Sequence, residues 1–277
     1  MTSGGDRTAE RARRTRVAVV TGVSRRVGIG AGIARRLAAD GWRLLLHAWA
    51  PHDAEQPWGE DVGGPQVIVD DLRAGGAEVA GMAADFADPE APARVLRTAV
   101  EAFGHVDALI ANHARSSVQT LDELTADELQ HTFAVNTTAT LLLTQGFAAQ
   151  HDGRAGGRVV LFTSGQYHGA MPGELPYIAS KAALHELTPS LAVHLAPCGI
   201  TVNCVDPGPN DTGYADDAGR RAVAAANPGA RWGRPEDSAR LVAWLVSDEA
   251  AWVTGQTIAS DGGWSARGPS SQPRPSR

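Results

Sequence analysis

Lysine is almost absent from this 277-residue chain: among 25 Lys and Arg residues, Lys181 is the only lysine. Cysteine is nearly as scarce, with Cys198 and Cys204 alone. Two cysteines exclude a disulfide scaffold and a cysteine-rich metal cluster, and they read as two buried thiols in a reducing, cytoplasmic setting. No apolar run approaches the roughly 20 residues that cross a bilayer, which excludes a membrane-embedded chain. There is no basic excess either. The net charge is −6, and a nucleic-acid binder needs a basic face. Nine histidines occur, yet none forms an H-E-x-x-H or similar ligand pattern, so no metal site is expected. The start is rich in arginine (Arg7, Arg11, Arg13, Arg14, Arg16). Its following apolar stretch, residues 17–20, is too short for a secretory signal, and the start reads as a flexible basic arm.

What is present is an ordinary globular composition, 43% hydrophobic and 20% charged, which excludes disorder as the main state. Short apolar runs alternate with helical patterns, the signature of βαβ units. Strands are expected at 16–21, 42–48, 79–83, 108–111, 158–163, 201–205 and 257–260. Helices are expected near 29–40, 89–103, 124–150, 176–195 and 235–247. The fold class is therefore α/β, a Rossmann-type doubly wound sheet of about seven parallel strands in a single domain, residues 16–265. Residues 1–15 form the arm, and a Pro/Ser/Arg tail at 266–277 is expected to be disordered. Two stretches, 50–65 and 208–229, read as long functional loops.

After the first strand comes Thr21-Gly22-Val-Ser24-Arg25-Arg26-Val-Gly28-Ile29-Gly30, leading directly into a helix. Glycines admit a pyrophosphate close to the backbone, and the helix N-terminus offers unpaired N–H groups to it. An NAD site normally carries a carboxylate at the end of the second strand. Here that strand ends His47-Ala48-Trp49-Ala50, with no carboxylate before Asp53. Arg25 and Arg26 lie in the turn instead, where a guanidinium can hold a 2′-phosphate. NADP(H) is accordingly expected over NAD(H).

The lone lysine stands four residues after Tyr177, in Tyr177-Ile-Ala-Ser-Lys181, so phenol and ammonium share one helical face. A nearby cation favours the phenolate and brings a weak acid toward working pH. Ser164, at a strand end 13 residues earlier, can hydrogen-bond a substrate carbonyl oxygen.

With these motifs in order, residues 16–264 resemble the classical short-chain dehydrogenase/reductase family, in its 3-oxoacyl-thioester-reductase-like branch. Thr21, Gly22, Gly28 and Gly30 match its cofactor motif. Asp85-Phe86 matches the adenine contact, Asn112 the Asn-Asn-Ala-Gly motif, and Pro207-Gly208 with Thr212 the carboxamide-holding stretch. Asn136, Ser164, Tyr177 and Lys181 match its catalytic tetrad. The resemblance implies that Tyr177 donates a proton as hydride arrives, Lys181 lowers the phenol pKa and holds the nicotinamide ribose, and Ser164 stabilises the oxyanion. Asn136 would hold a water joining Lys181 to solvent. Gly22, Ser24, Arg25, Arg26, Gly28 and the Ile29 N–H would cradle phosphates. The glycine turn is two residues longer than the usual spacing, and Asn112-His113-Ala114 departs from the Asn motif. That departure could shift the adenine contacts or turn His113 and Arg115 toward substrate. A longer turn also occurs in the enoyl-reductase branch, whose lysine follows the tyrosine by seven residues. The spacing of four found here favours carbonyl reduction.

Gln166, Tyr167 and Tyr214 are expected at the substrate, the last from a closing loop. Trp244 and Trp252 read as core or subunit interface. The expected function is an NADP(H)-dependent oxidoreductase reducing a ketone, or oxidising a secondary alcohol, with a 3-oxoacyl thioester or polyketide-like ketone as first choice. An NAD-dependent sugar or polyol dehydrogenase is the alternative, and a non-catalytic NADP-sensing or scaffold protein is the alternative of another class. By resemblance, a homodimer or homotetramer is expected.

Overall fold

In a computed structural model describing residues 15–267, seven strands form one parallel sheet in the order β3-β2-β1-β4-β5-β6-β7. They are β1 (Val17–Val20), β2 (Arg43–Ala48), β3 (Val79–Ala83), β4 (Ala108–Ala111), β5 (Gly157–Phe162), β6 (Ile200–Asp206) and β7 (Thr257–Ala259). β1 pairs with both β2 and β4, Val19 standing between Leu45 and Leu109. The strand order therefore reverses at β1, and a parallel sheet binds its ligands in the crevice beyond the carboxyl ends at such a point. β1, β4 and β5 are buried at every position. Burial on both faces explains why β1 and β4 read as unbroken apolar runs and why β5 departs from one only at Arg158.

One face is covered by α1 (Ile29–Ala39), α3 (Gln66–Ala74) and α9 (Pro235–Leu245), through Ile33, Leu37, Ile68 and Val242. A Cβ on Gly32 would stand 2.7 Å from Pro235 Cβ, so α1 and α9 approach too closely for any side chain there. The opposite face carries α4 (Ala91–Phe103), α6 (Ala139–Gln150) and α7 (Leu175–Leu195), through Val95, Leu143, Phe147 and Ala192.

The expected elements appear with shifts of a residue or two, and four differences carry reasons. The helix expected over 124–150 is α5 (Ala126–Phe133) joined to α6 by a π-turn, Ala134–Thr138. α3 went unread because two turns burying only Ile68 and Val69 leave little periodic signal. The 50–65 loop contains α2 (Ala50–Ala54), and the 208–229 loop contains α8 (Asp217–Ala226), capped by the Asp216 carboxylate on the Gly219 N–H. Trp252 is 98% exposed and Trp244 37%, so neither is core.

The expected arm and tail lie, apart from Thr15, Ala266 and Arg267, outside the described residues. Ala266 and Arg267 are held in place: the Arg267 guanidinium carbon stacks 3.1 Å from the Trp264 ring centre, and its Nε donates to Trp264 O. Of the two free thiols, Cys204 is buried and Cys198 is exposed, which corrects the expectation of two buried ones. Among the described residues no helix is long and apolar enough to cross a membrane.

Candidate active site

The glycine turn is shaped by what stands against it. Gly22 has φ +73°, and a Cβ there would lie 2.7 Å from His113 Cα. On Gly30 a Cβ would meet Gly22 O at 2.4 Å. Both positions require glycine. Asn112, at the end of β4, ties the turn down by donating from Nδ2 to Thr21 O and Gly22 O, each at 3.1 Å. The two extra residues form a tight turn, Gly28 N–H to Arg25 O at 3.0 Å, ahead of α1.

Beside this turn lies a groove of about 390 Å³ at the switch point. Gly22, Ser24, Arg25, Gly28, Ile29, Asp85, Phe86, Asn112 and Thr212 all line it, as the sequence led us to expect. Arg26 does not. Its N–H is bound by Asp61, its guanidinium reaches toward Asp71 at 3.8 Å, and its carbonyl accepts from Arg35. Arg26, expected as a phosphate clamp, stands on the α3 side in this structure. Arg25 is turned inward, over the Trp58 ring at 5.7 Å, and its buried Nε has no hydrogen-bond partner. Ser24 Oγ accepts from Trp49 N–H at 3.1 Å, which fastens the turn to the end of β2.

The catalytic candidates converge at the carboxyl ends of β5 and β6. Tyr177 lies in the first turn of α7 and is hydrogen-bonded by Ser164, which follows β5. Lys181, one turn further, is 2% exposed; its Nζ sits 5.9 Å from the Tyr177 ring centre and donates to Phe162 O at 3.0 Å. Helical spacing places both groups on one face, and the sheet end supplies Ser164 between them. Asn136 is buried in the π-turn, a distortion common at functional sites. Its Nδ2 donates to Ser180 Oγ at 2.9 Å and to Arg115 O at 3.1 Å, while its Oδ1 accepts the Arg115 N–H at 2.6 Å. Both amide protons are therefore spent inside the protein.

Electrostatics depart from expectation at one point. Burial pushes the Tyr177 phenol up to about 12, helped by the negative charges of Glu174 and Asp206 and opposed by Ser164. The Lys181 ammonium is aimed at Phe162 O. Burial also pushes Lys181 down to about 8 and the neighbouring Cys204 thiol up to about 11. These shifts set an alkaline stability profile for the cofactor-free protein. Between pH 8 and 9 the unfolded chain holds the Lys181 proton that the folded one has lost, so stability rises, by about 1 kcal/mol per group over one pH unit. From 9 to 10, Cys204 ionises only in the unfolded chain and offsets this gain. Above 10 stability falls, because Tyr177 and Tyr214 stay protonated in the fold to about 12. Thermal unfolding across pH 7–11 checks this, and a midpoint that falls steadily from pH 8 would contradict the Lys181 assignment.

All three tyrosines lie in this region, but in different positions. Tyr167 hydrogen-bonds Asp206 and stacks on His185 at 4.5 Å. Gln166 Nε2 donates to Thr163 Oγ1 at 2.9 Å, and its buried Oε1 has no partner. Pro207 and Gly208 sit at the β6 end, where Gly208 N–H binds Asp206 Oδ1 at 2.9 Å. Tyr214 packs edge-on against Trp58 (6.4 Å) and Trp232 (5.7 Å), so the two long loops meet over Arg25. Trp58 and Glu174 had no site role in the sequence reading. Glu174 caps the start of α7 half-buried, its carboxyl raised by burial alone.

A family model described as Enoyl-(Acyl carrier protein) reductase matches residues 22–265. The chain is 36% identical over 251 residues to "Uncharacterized oxidoreductase YjdA" of Bacillus subtilis (strain 168), covering 90% of this chain and 96% of that protein. It superposes on the short-chain dehydrogenase/reductase from Serratia marcescens BCRC 10948 with a TM-score of 0.80 and 32% identity, covering 90% of this chain and 98% of that one. A blue fluorescent protein from a metagenomic library, solved in complex with NADPH, gives a TM-score of 0.78 and 34% identity over 90% and 97% of the two chains.

Proposed function

The chain belongs to the short-chain dehydrogenase/reductase family and is an NAD(P)-dependent oxidoreductase; from that premise we propose that it reduces a ketone, or oxidises the matching secondary alcohol, with NADP(H). The observation carrying the cofactor assignment is the buried, partnerless Arg25 Nε at the groove. A buried unmet donor is costly, and a phosphate oxygen is its natural acceptor. The relative solved with NADPH supports the same choice.

The groove fits such a cofactor. Gly22, Gly28 and the α1 N-terminus would hold the pyrophosphate, Arg25 the 2′-phosphate, and Asp85, Phe86 and Asn112 the adenine end. Lys181 would hold the nicotinamide ribose, and Pro207, Gly208 and Thr212 the carboxamide. When bound, the cofactor supplies or accepts the hydride. On the protein side, Ser164 hydrogen-bonds the carbonyl oxygen and Tyr177 gives it the phenolic proton, leaving a phenolate that the Lys181 ammonium stabilises. The four-residue spacing from Tyr177 to Lys181 supports a carbonyl rather than an enoyl substrate, and a 3-oxoacyl thioester or polyketide-like ketone is the first candidate.

A second reading has its own observation. Asp53 lines the groove and could accept from a ribose hydroxyl, as an NAD-dependent sugar or polyol dehydrogenase requires. One of its oxygens already accepts from Trp58 Nε1 at 3.1 Å, which favours the phosphate reading. Quenching of the seven tryptophans separates the two. NADPH should bind more tightly than NADH, and Arg25→Ala should weaken NADPH 10- to 100-fold, given the usual ~1.5–3 kcal/mol of a hydrogen bond to a charged group. Arg26→Ala should leave it within about twofold. Tighter NADH binding, unaffected by Arg25→Ala, would transfer the assignment to Asp53. A homo-oligomer in the cytoplasm completes the proposal. It is supported by the exposed Trp252, by Val193 standing out from α7, and by the two free thiols.

A further inference from the structure

His113 stands at the C-terminal end of β4, between β1 and the π-turn, and it is buried. Its Nε2 lies 2.9 Å from Val135 O. A carbonyl only accepts, so Nε2 carries the proton and Nδ1 is bare. Thr21 Oγ1, 2.7 Å away, then donates to Nδ1 while accepting the N–H groups of Asn112 and His113. Burial, foremost, and the nearby His47 and Lys181 hold the ring neutral.

Val135 O needs such a donor because of the π-turn. The Ala139 N–H goes to Ala134 O, five residues back, and so does not reach Val135 as it would in an α-helix. The next carbonyl, Asn136 O, accepts from Thr140 Oγ1 at 2.8 Å. His113 thus satisfies the carbonyl that the π-turn frees, Thr140 makes the i−4 back-bond that Thr144 and Thr188 also make, and the turn places Asn136 against Ser180. Ser180 Oγ donates to Tyr177 O at 2.7 Å, and Thr137 Oγ1 donates to Ser180 O at 3.0 Å. From the glycine turn hydrogen bonds reach His113 and Val135 O; one covalent step along the chain leads to Asn136, whose side chain bonds Ser180 on the catalytic helix.

We propose that His113 is a positioning residue for this oxidoreductase: as a neutral imidazole it braces the cofactor-binding turn against the π-turn and so holds Asn136, and through it α7 with Tyr177 and Lys181, in working geometry. The inference rests on the reductase reading for its kinetic arm but not for its structural arm. His113→Leu fills the volume without a donor, and His113→Gln restores an amide N–H near Nε2. With ethyl 3-oxobutanoate and saturating NADPH, His113→Leu should lower kcat about tenfold or more while NADPH affinity and KM stay within about threefold. His113→Gln should recover most of kcat. Hydrogen exchange of the Arg115 amide, which binds Asn136 Oδ1, should speed up at least tenfold in His113→Leu and return toward wild type in His113→Gln. Thr140→Val, which removes the second donor to the π-turn, should give the same signature and serves should His113→Leu fail to fold.

Wild-type kcat in both His113→Leu and Thr140→Val would overturn the brace. So would unchanged Arg115 exchange, or a Gln variant as impaired as Leu at equal thermal stability. If the wild-type chain binds NADPH but turns over no ketone, the reductase reading fails, and the exchange arm alone still decides the brace.

Discussion

Replacing Tyr177 by Phe is expected to lower kcat for ketone reduction by about 10³-fold or more, with NADPH affinity within a few-fold of wild type. Proton transfer by a positioned group contributes ~10²–10⁴-fold, and here Tyr177 alone is placed to provide it, with Ser164 bonded to its hydroxyl. Phe keeps the ring and its packing, so the loss isolates the proton and not the pocket. Steady-state NADPH oxidation beside fluorescence titration makes the measurement. A variant retaining a tenth of wild-type kcat would remove Tyr177 from the proton-donating role.

Lys181→Met is expected to divide activity from stability. The buried ammonium has a single hydrogen-bond acceptor, Phe162 O, and no carboxylate partner among the described residues. Its proton is held weakly, down to about 8. A charge so placed costs folding free energy, on the order of 3 kcal/mol at neutral pH by linkage, and Met fills a similar volume without it. Thermal stability should therefore rise while kcat falls roughly 100-fold or more. Lys181→Arg should not rescue turnover, since a planar guanidinium does not fit the space of a compact ammonium. The opposite pattern, an unfolded Met variant or a fully active Arg variant, would make Lys181 a packing residue. The presence of only one lysine in a chain that otherwise uses arginine agrees with this trade of stability for chemistry.

Much of the site was legible because its information is local along the chain. Tyr177 and Lys181 are four residues apart on one helix. Gly22, Gly28, Ile29 and Arg25 lie within one strand-to-helix turn, Asn112 directly follows β4, and Asp85 stands two residues past β3. Short apolar runs then carried the sheet, since β1 and β4 are apolar throughout and β5 carries only Arg158 as a charged residue. What was missed depends on contacts between distant segments. Arg26 reads like Arg25 in sequence, yet one faces the groove and the other Asp71, and only the packing of α3 against the turn separates them. Tyr167 sits three residues after Ser164, but Asp206, from a different strand, binds its hydroxyl. Trp58 and Tyr214 lie in loops more than 150 residues apart and meet over Arg25.

The sequence by itself determined the class of fold and the oxidoreductase family, because hydrophobic period and motif spacing act over one or two helical turns. The tertiary structure decided which arginine lines the groove, how burial moves the Tyr177 and Lys181 protons, and that His113 turns inward to Thr21 and Val135. Those outcomes follow from desolvation and from hydrogen bonds between segments brought together only when the sheet is assembled.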